Sequence, residues 1–128
     1  MSQKTIRLLL VDDEKQFVDT LAQRLAKRGF APRVAYSGEE ALNALREPTD
    51  VLILDLRMAG MDGFEVLSTV TRHRPSVKVI ILTGHGAEAE EQAAYRMGAS
   101  NFLRKPVDID ELLQSIHMAV QENLEEVC

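Results

Sequence analysis

Five residues with chemical potential stand where apolar runs break off. Ile6–Val11 stops at Asp12 and Asp13, Val51–Leu54 at Asp55, and Val77–Leu82 at Thr83, while Asn101-Phe102-Leu103 ends just ahead of Lys105. Taken singly, each has an ordinary structural role. An acidic pair after a strand caps the next helix and complements its dipole; an isolated Asp forms a turn, a Thr caps, and a Lys before a Pro sits in a solvated loop. Taken together, they put three carboxylates, a hydroxyl and an ammonium at the same ends of four strands, the second strand ending in Tyr36-Ser37 with nothing ionisable. Carboxylates brought that close repel, so either a proton or a cation must sit among them. A cluster of hard oxygens without His or Cys suits Mg²⁺, which keeps some waters and takes one or two carboxylates plus phosphate oxygens. One carboxylate facing the metal can act as a nucleophile and form an acyl phosphate. Lys105 and the Thr83 hydroxyl would then contact the other phosphoryl oxygens, giving the positioning and charge neutralisation that phosphoryl transfer requires.

The elements that must hold these residues follow from periodicity. Ile6–Val11 is apolar except at Arg7, as expected of a parallel strand buried on both faces. Phe17, Val18, Leu21, Ala22 and Leu25 recur at helical spacing, with Asp13 and Gln16 as a capping box and Gly29 as a stop. Arg33–Tyr36 predicts a second strand, and Ser37 with Glu40 caps a helix that buries Ala41, Leu42, Ala44 and Leu45. After the strand Val51–Leu54, the loop Met58–Gly63 leads to a helix through Phe64, Val66, Leu67 and Val70. Gly84-His85-Gly86 turns into a helix over Ala87–Met97, and Asp108 with Glu111 caps a last helix facing inward through Ile109, Leu112, Leu113, Ile116 and Val120. Strands alternating with helices make a parallel sheet covered on both faces. Five units fit an open doubly wound sheet, a three-layer α/β sandwich of (βα)₅ type, where a closed barrel needs eight. Ligands of such sheets bind beyond the carboxyl ends of the strands.

Composition narrows the class further. The chain has 128 residues, 45% hydrophobic and 27% charged, which suits one soluble domain spanning 1–128 with a core of about 6–120. No apolar run approaches the ~20 residues of a membrane helix, and Met1-Ser2-Gln3-Lys4 carries no secretory cleavage pattern. With 20 acidic residues against 15 basic ones, the net charge of −5 argues against direct nucleic-acid binding. A single cysteine, Cys128, excludes a disulfide framework and a Cys-based zinc site. A cytoplasmic location is expected, and since only a short stretch follows Val120 the chain is expected to be either a stand-alone domain or one excised from a larger protein.

Several stretches together resemble the receiver domain of two-component response regulators. They are Leu10-Val11-Asp12-Asp13-Glu14, Leu52–Met58, Met61-Asp62-Gly63, Ile81-Leu82-Thr83-Gly84, and Gly98-Ala99 with Phe102–Pro106. The resemblance runs from about Ile6 to Val120 and implies the flavodoxin-like strand order 2-1-3-4-5. It implies that Asp55 is the phosphoacceptor and that Mg²⁺ is held by Asp13 and Asp55, by Asp12 largely through water, and by the backbone carbonyl of Arg57. It implies that Thr83 and Lys105 turn towards the phosphoryl group and that Phe102 changes rotamer. That change would remodel a face built from the fourth helix, fifth strand and fifth helix, and Pro106 would follow a cis peptide. The implied partners are a sensor histidine kinase or histidine phosphotransfer protein and a downstream effector, with a phosphorylation-dependent dimer through the same face. Two departures stand out: Ala59 where receivers often carry Pro, and Phe102 where a Tyr is frequent. Arg57 and His85, two residues beyond Asp55 and Thr83, would tune the lifetime of the phosphate.

Two other classes compete. A Mg²⁺-dependent phosphatase resembling the haloacid dehalogenase group would carry its nucleophile on the first strand and a cap over the substrate; Asp55 is on the third strand, and no insertion is long enough. A degenerate receiver working as an unphosphorylated docking module would not need the full set of Asp12, Asp13, Asp55, Thr83 and Lys105. His73 is expected to complement a helix end, and Met58, Met61, Met97 and Met118 to serve packing.

Overall fold

The computed structural model describes residues 5–84 and 88–127, with side chains described up to 121. His85, Cys128 and the side chains of the acidic run at Glu122, Glu125 and Glu126 lie outside the described residues. In chain order the elements are β1 (Leu8–Val11), α1 (Lys15–Ala26), β2 (Arg33–Ala35), α2 (Gly38–Ala44), β3 (Val51–Leu54), α3 (Gly63–His73), β4 (Lys78–Thr83), α4 (Glu88–Arg96), β5 (Asn101–Arg104) and α5 (Ile109–Val127). The strands form one five-stranded sheet in the order β2-β1-β3-β4-β5. Every pairing is parallel. This is the doubly wound order that the motifs imply.

Alternation along each strand divides the core in two, because successive strand side chains point to opposite faces. Leu9, Val11, Leu52, Leu54, Val79, Ile81 and Phe102 face α2, α3 and α4, where Ala41, Val66, Leu67, Val70 and Ala94 meet them. Leu8, Leu10, Val51, Ile53, Ile80, Leu82 and Leu103 face α1 and α5, against Val18, Leu21, Leu25, Leu112 and Ile116. Both faces being dry, the strands read as unbroken apolar runs in sequence.

Element ends differ in places from the periodicity. The first strand begins at Leu8, because Arg7 turns aside to Asp50: its amide and guanidinium all donate to that carboxylate, at 2.8 to 3.1 Å. The capping box expected of Asp13 and Gln16 does not form. Glu14 is the N-cap of α1 and makes no side-chain cap, while the Asp13 carboxylate is engaged by the Ala59 amide beyond the end of β1. At α2 the Ser37 hydroxyl accepts from the amide of Glu40, and Glu40 reaches back to the amide of Tyr36, one residue before the cap. Asp62 caps α3 by accepting from the amide of Glu65, and Asp108 accepts from the amides of Asp110 and Glu111. At Gly29 a φ of +93° ends α1, and Phe30 donates back to the Leu25 carbonyl. His73 is the last residue of α3, as expected. Met58 is buried, but Met118 is 56% exposed and does not serve packing.

Candidate functional site

The carboxyl ends of β1 and β3 lie side by side, Val11 in register with Leu54. The next residues, Asp12 and Asp55, therefore leave the sheet together at its centre. Both are buried, at 3% and 4% exposure, beneath the loops that follow their strands. Asp13, one step further out, completes a set whose carboxylate oxygens lie within 4.8 Å of one another. Among the described residues this is the one His, Cys, Asp or Glu cluster of metal-binding geometry.

Backbone amides hold each carboxylate in place. An Asp12 oxygen accepts from the Glu14 amide at 2.9 Å and an Asp13 oxygen from the Ala59 amide at 3.0 Å, while the Asp55 contact with the Arg57 amide is longer at 3.4 Å. The Ala59 bond ties the β3–α3 loop to the β1–α1 loop, so the position where receivers often place Pro here has an amide to donate. Gly63 closes that loop. Its amide donates to the Leu56 carbonyl at 2.9 Å, and a Cβ at this position would stand 2.3 Å from the carbonyl oxygen of Asp55. Only glycine permits this approach.

Lys105 enters from the far side of the site, its amide donating to the Thr83 carbonyl at 2.9 Å. It precedes Pro106 through a cis peptide, as the motif resemblance implies. Its ammonium stands 2.7 Å from Asp12 Oδ2, 2.6 Å from Glu14 Oε1 and 3.7 Å from Asp55 Oδ2. It also lies 4.2 Å from the centre of the Phe17 ring. Burial works against the Lys105 charge, but the hydrogen bonds it donates to Asp12 and Glu14, with their charges, outweigh it and raise its pKa above the ordinary lysine value. At Asp12 burial wins: it pushes the carboxyl above the usual carboxylate range, despite the Lys105 and Glu14 hydrogen bonds and with Asp55 repelling it further. Three clustered carboxylates with one ammonium among them are a site short of positive charge. An all-oxygen donor set of this kind fits a hard divalent cation.

The remaining predicted residues lie on β4 and β5 and just after β3. Thr83 is fully buried at the end of β4. Phe102 is buried in the core facing α4, with the Arg104 guanidinium 5.0 Å from its ring. The side chain of Arg57 turns away from the acids and pairs with Glu90 on α4 at 2.8 Å. Two participants were not anticipated. Glu14 stands in sequence as the last residue of the acidic run that stops the first strand, yet it is a direct partner of Lys105; its place next to Asp12 and Asp13 was the available signal. Phe17 reads as helix core, and nothing in its spacing announces a cation at its face.

A doubly wound sheet with an acidic cluster and a lysine beyond the central strands defines an α/β domain with an acidic site of metal-binding geometry. The match to known proteins is specific: residues 8–117 fit the response regulator receiver domain model, and the chain belongs to that family. The transcriptional regulatory protein GlrR of Escherichia coli (strain K12) is 42% identical over 124 residues, which are 96% of this chain and 28% of the relative. The chain thus spans little more than a quarter of that relative's length. Among solved structures, a CheY-like receiver domain protein from Methanospirillum hungatei JF-1 superposes with a TM-score of 0.91 at 27% identity, covering 96% of this chain and 99% of the other. A response regulator from Burkholderia pseudomallei, solved with a phosphorylated aspartic acid, a calcium ion and citrate, superposes with a TM-score of 0.83 at 28% identity, covering 96% and 73% of the two chains. Response regulators act in two-component systems through aspartyl phosphorylation, and the signalling class expected from the motifs is the class found.

Proposed function

We propose that this chain is a phosphorylation-controlled switch whose acceptor is Asp55, fed by a sensor histidine kinase or a histidine phosphotransfer protein. The observation that carries this is the placement of Asp55: buried at the end of the central strand, within 4.8 Å of the Asp12 and Asp13 oxygens and 3.7 Å from the Lys105 ammonium. The phosphorylated aspartic acid and calcium ion of the Burkholderia pseudomallei regulator support it.

An Asp55 oxygen attacks the phosphorus of the donor, forming an O–P bond as the donor's N–P bond breaks. The imidazole leaves as a neutral ring when its other nitrogen carries a proton. Lys105 and the Thr83 hydroxyl take phosphoryl oxygens. Asp12, Asp13, Asp55 and the Arg57 backbone carbonyl would hold Mg²⁺, which when bound neutralises charge on the transferring phosphoryl group. Hydrolysis reverses the state: water attacks phosphorus, the O–P bond breaks, and phosphate leaves a free carboxylate. Substrate turnover is not the output, so the chain serves as a signalling domain and not as an enzyme with a product.

Thr83 and Phe102 carry the response. Drawing Thr83 towards the phosphoryl group opens space that the Phe102 ring fills by rotamer change, which alters the surface of α4, β5 and α5 where an effector or a second copy binds. This is a shift between two packings biased by new charge-assisted contacts. Phe102 acts by burial alone, without a phenolic hydrogen bond. The expected location is the cytoplasm; no described helix is long and apolar enough to cross a membrane.

Intact mass after incubation with acetyl phosphate and Mg²⁺ tests the proposal. The wild-type chain gains one phosphoryl group, and the gain is lost with EDTA and in Asp55→Asn. No adduct with either acetyl phosphate or a kinase would point instead to a phosphorylation-independent docking module.

A further inference from the structure

We propose that Glu14 is a positioning residue that competes with the phosphoryl group for Lys105, so that the first turn of α1 is a resting dock for the ammonium. This rests on Asp55 being the acceptor. An ammonium has three N–H donors. Here Asp12 and Glu14 sit at 2.7 and 2.6 Å, whereas Asp55 at 3.7 Å is beyond hydrogen-bond range. Phe17, three residues after Glu14 and on the same side of the helix, adds its ring face at 4.2 Å. Two side chains of one helical turn thus hold the ammonium on the α1 side of the site.

The two carboxylate partners are not equivalent. Asp12 is buried and belongs to the acidic cluster, so it stays in place when a cation binds. The Glu14 side chain is 63% exposed, lies outside that cluster, and caps no amide of α1. It can swing into solvent without leaving a buried charge or an open helix end. One N–H of Lys105 remains, but the ammonium sits on the α1 side, 3.7 Å from Asp55. Closing on a phosphoryl oxygen carried by Asp55 therefore draws it away from Glu14, and the strength of the Glu14 contact sets how firmly the phosphorylated state is held.

The test compares wild type, Glu14→Gln and Glu14→Asp. Glu14→Gln removes the charge; Glu14→Asp keeps it on a side chain one methylene shorter. The readout is half-saturation by beryllofluoride, a phosphoryl mimic, at saturating Mg²⁺, followed by ¹⁹F resonance of the bound anion. Both variants are expected to bind the mimic about fivefold more tightly than wild type, the size of one partly exposed ion pair. Their affinity for Mg²⁺ alone, measured alongside, is expected not to improve. Equal or weaker mimic binding in both variants would overturn the proposal. So would a gain confined to Glu14→Gln, which signals long-range charge and not contact. If wild type itself binds no mimic, the assignment of Asp55 fails first, and that failure is separately visible.

Discussion

At Asp12 burial and partnership pull in opposite directions. The side chain is almost fully enclosed, accepts from Lys105 and the Glu14 amide, and still has its pKa raised. Desolvation of a carboxylate costs more than these bonds return, and Asp55 adds repulsion. A divalent cation would relieve that cost. Mg²⁺ at about 100 times its dissociation constant should stabilise the fold by about 2.7 kcal/mol, read as a shift in the thermal or urea midpoint. Asp13→Asn keeps an oxygen for the Ala59 amide but removes the charge, so most of the shift should vanish while the metal-free midpoint moves little. The sign with pH follows. A carboxyl whose pKa is raised in the folded state takes up its proton at higher pH than in the unfolded chain, so proton uptake at Asp12 competes with the metal as the solution is acidified. On acidification Mg²⁺ affinity should therefore begin to weaken at a higher pH than the proton uptake of an ordinary Asp would cause. An affinity that stays flat until the ordinary Asp range, by calorimetry, would sink this reading.

Loops set the site's geometry as much as strands do. The β3–α3 loop is drawn in by Ala59 on Asp13 and by Gly63 on Leu56. Adding a single methyl at Gly63 would place carbon 2.3 Å from the Asp55 carbonyl oxygen and 2.5 Å from the Leu56 Cα, both backbone atoms that cannot step aside. Gly63→Ala should cost about 1–3 kcal/mol by urea unfolding and slow phosphoryl uptake from acetyl phosphate, because the displaced atoms belong to the acceptor's own peptide. Loss of stability with an unchanged uptake rate would show that the loop does not position Asp55. This is also where sequence and structure part. The strand order came from the motif resemblance. Strand identity and the gathering of Asp12, Asp13, Asp55 and Lys105 beyond the strands were legible, because apolar runs ending in charge mark the strand ends of a parallel sheet. What the side chains do there was not. Asp13 looks like a helix cap at its spacing from Gln16, and only the three-dimensional approach of Ala59 diverts it. Lys105 appears as a phosphate ligand, with no sign of its resting partners. Glu14 and Lys105 are 91 positions apart, and no periodicity connects them.

One sheet serves two cores, and this makes the whole molecule the unit that presents the site. Leu52 on β3 belongs to the layer under α2, α3 and α4, while Leu112 on α5 belongs to the layer shared with α1. Both are fully buried. The layers share no side chain in their buried clusters, yet every strand contributes to both through its alternating faces. Removing packing from either face therefore weakens the same five-stranded sheet, and with it the juxtaposition of Asp12 and Asp55. Leu52→Ala and Leu112→Ala should each cost about 2–5 kcal/mol, and each should lower a single transition. Circular dichroism and the capacity for phosphoryl uptake, followed through urea, should lose their signals at the same midpoint in both variants, as two-state unfolding of a small domain demands. If Leu112→Ala lost the α1–α5 layer first while uptake persisted, the acidic site would depend on one face only. Glu14 and Phe17 on α1 argue against that outcome, because the helix packed by the second layer is the one that holds Lys105 beside the acids.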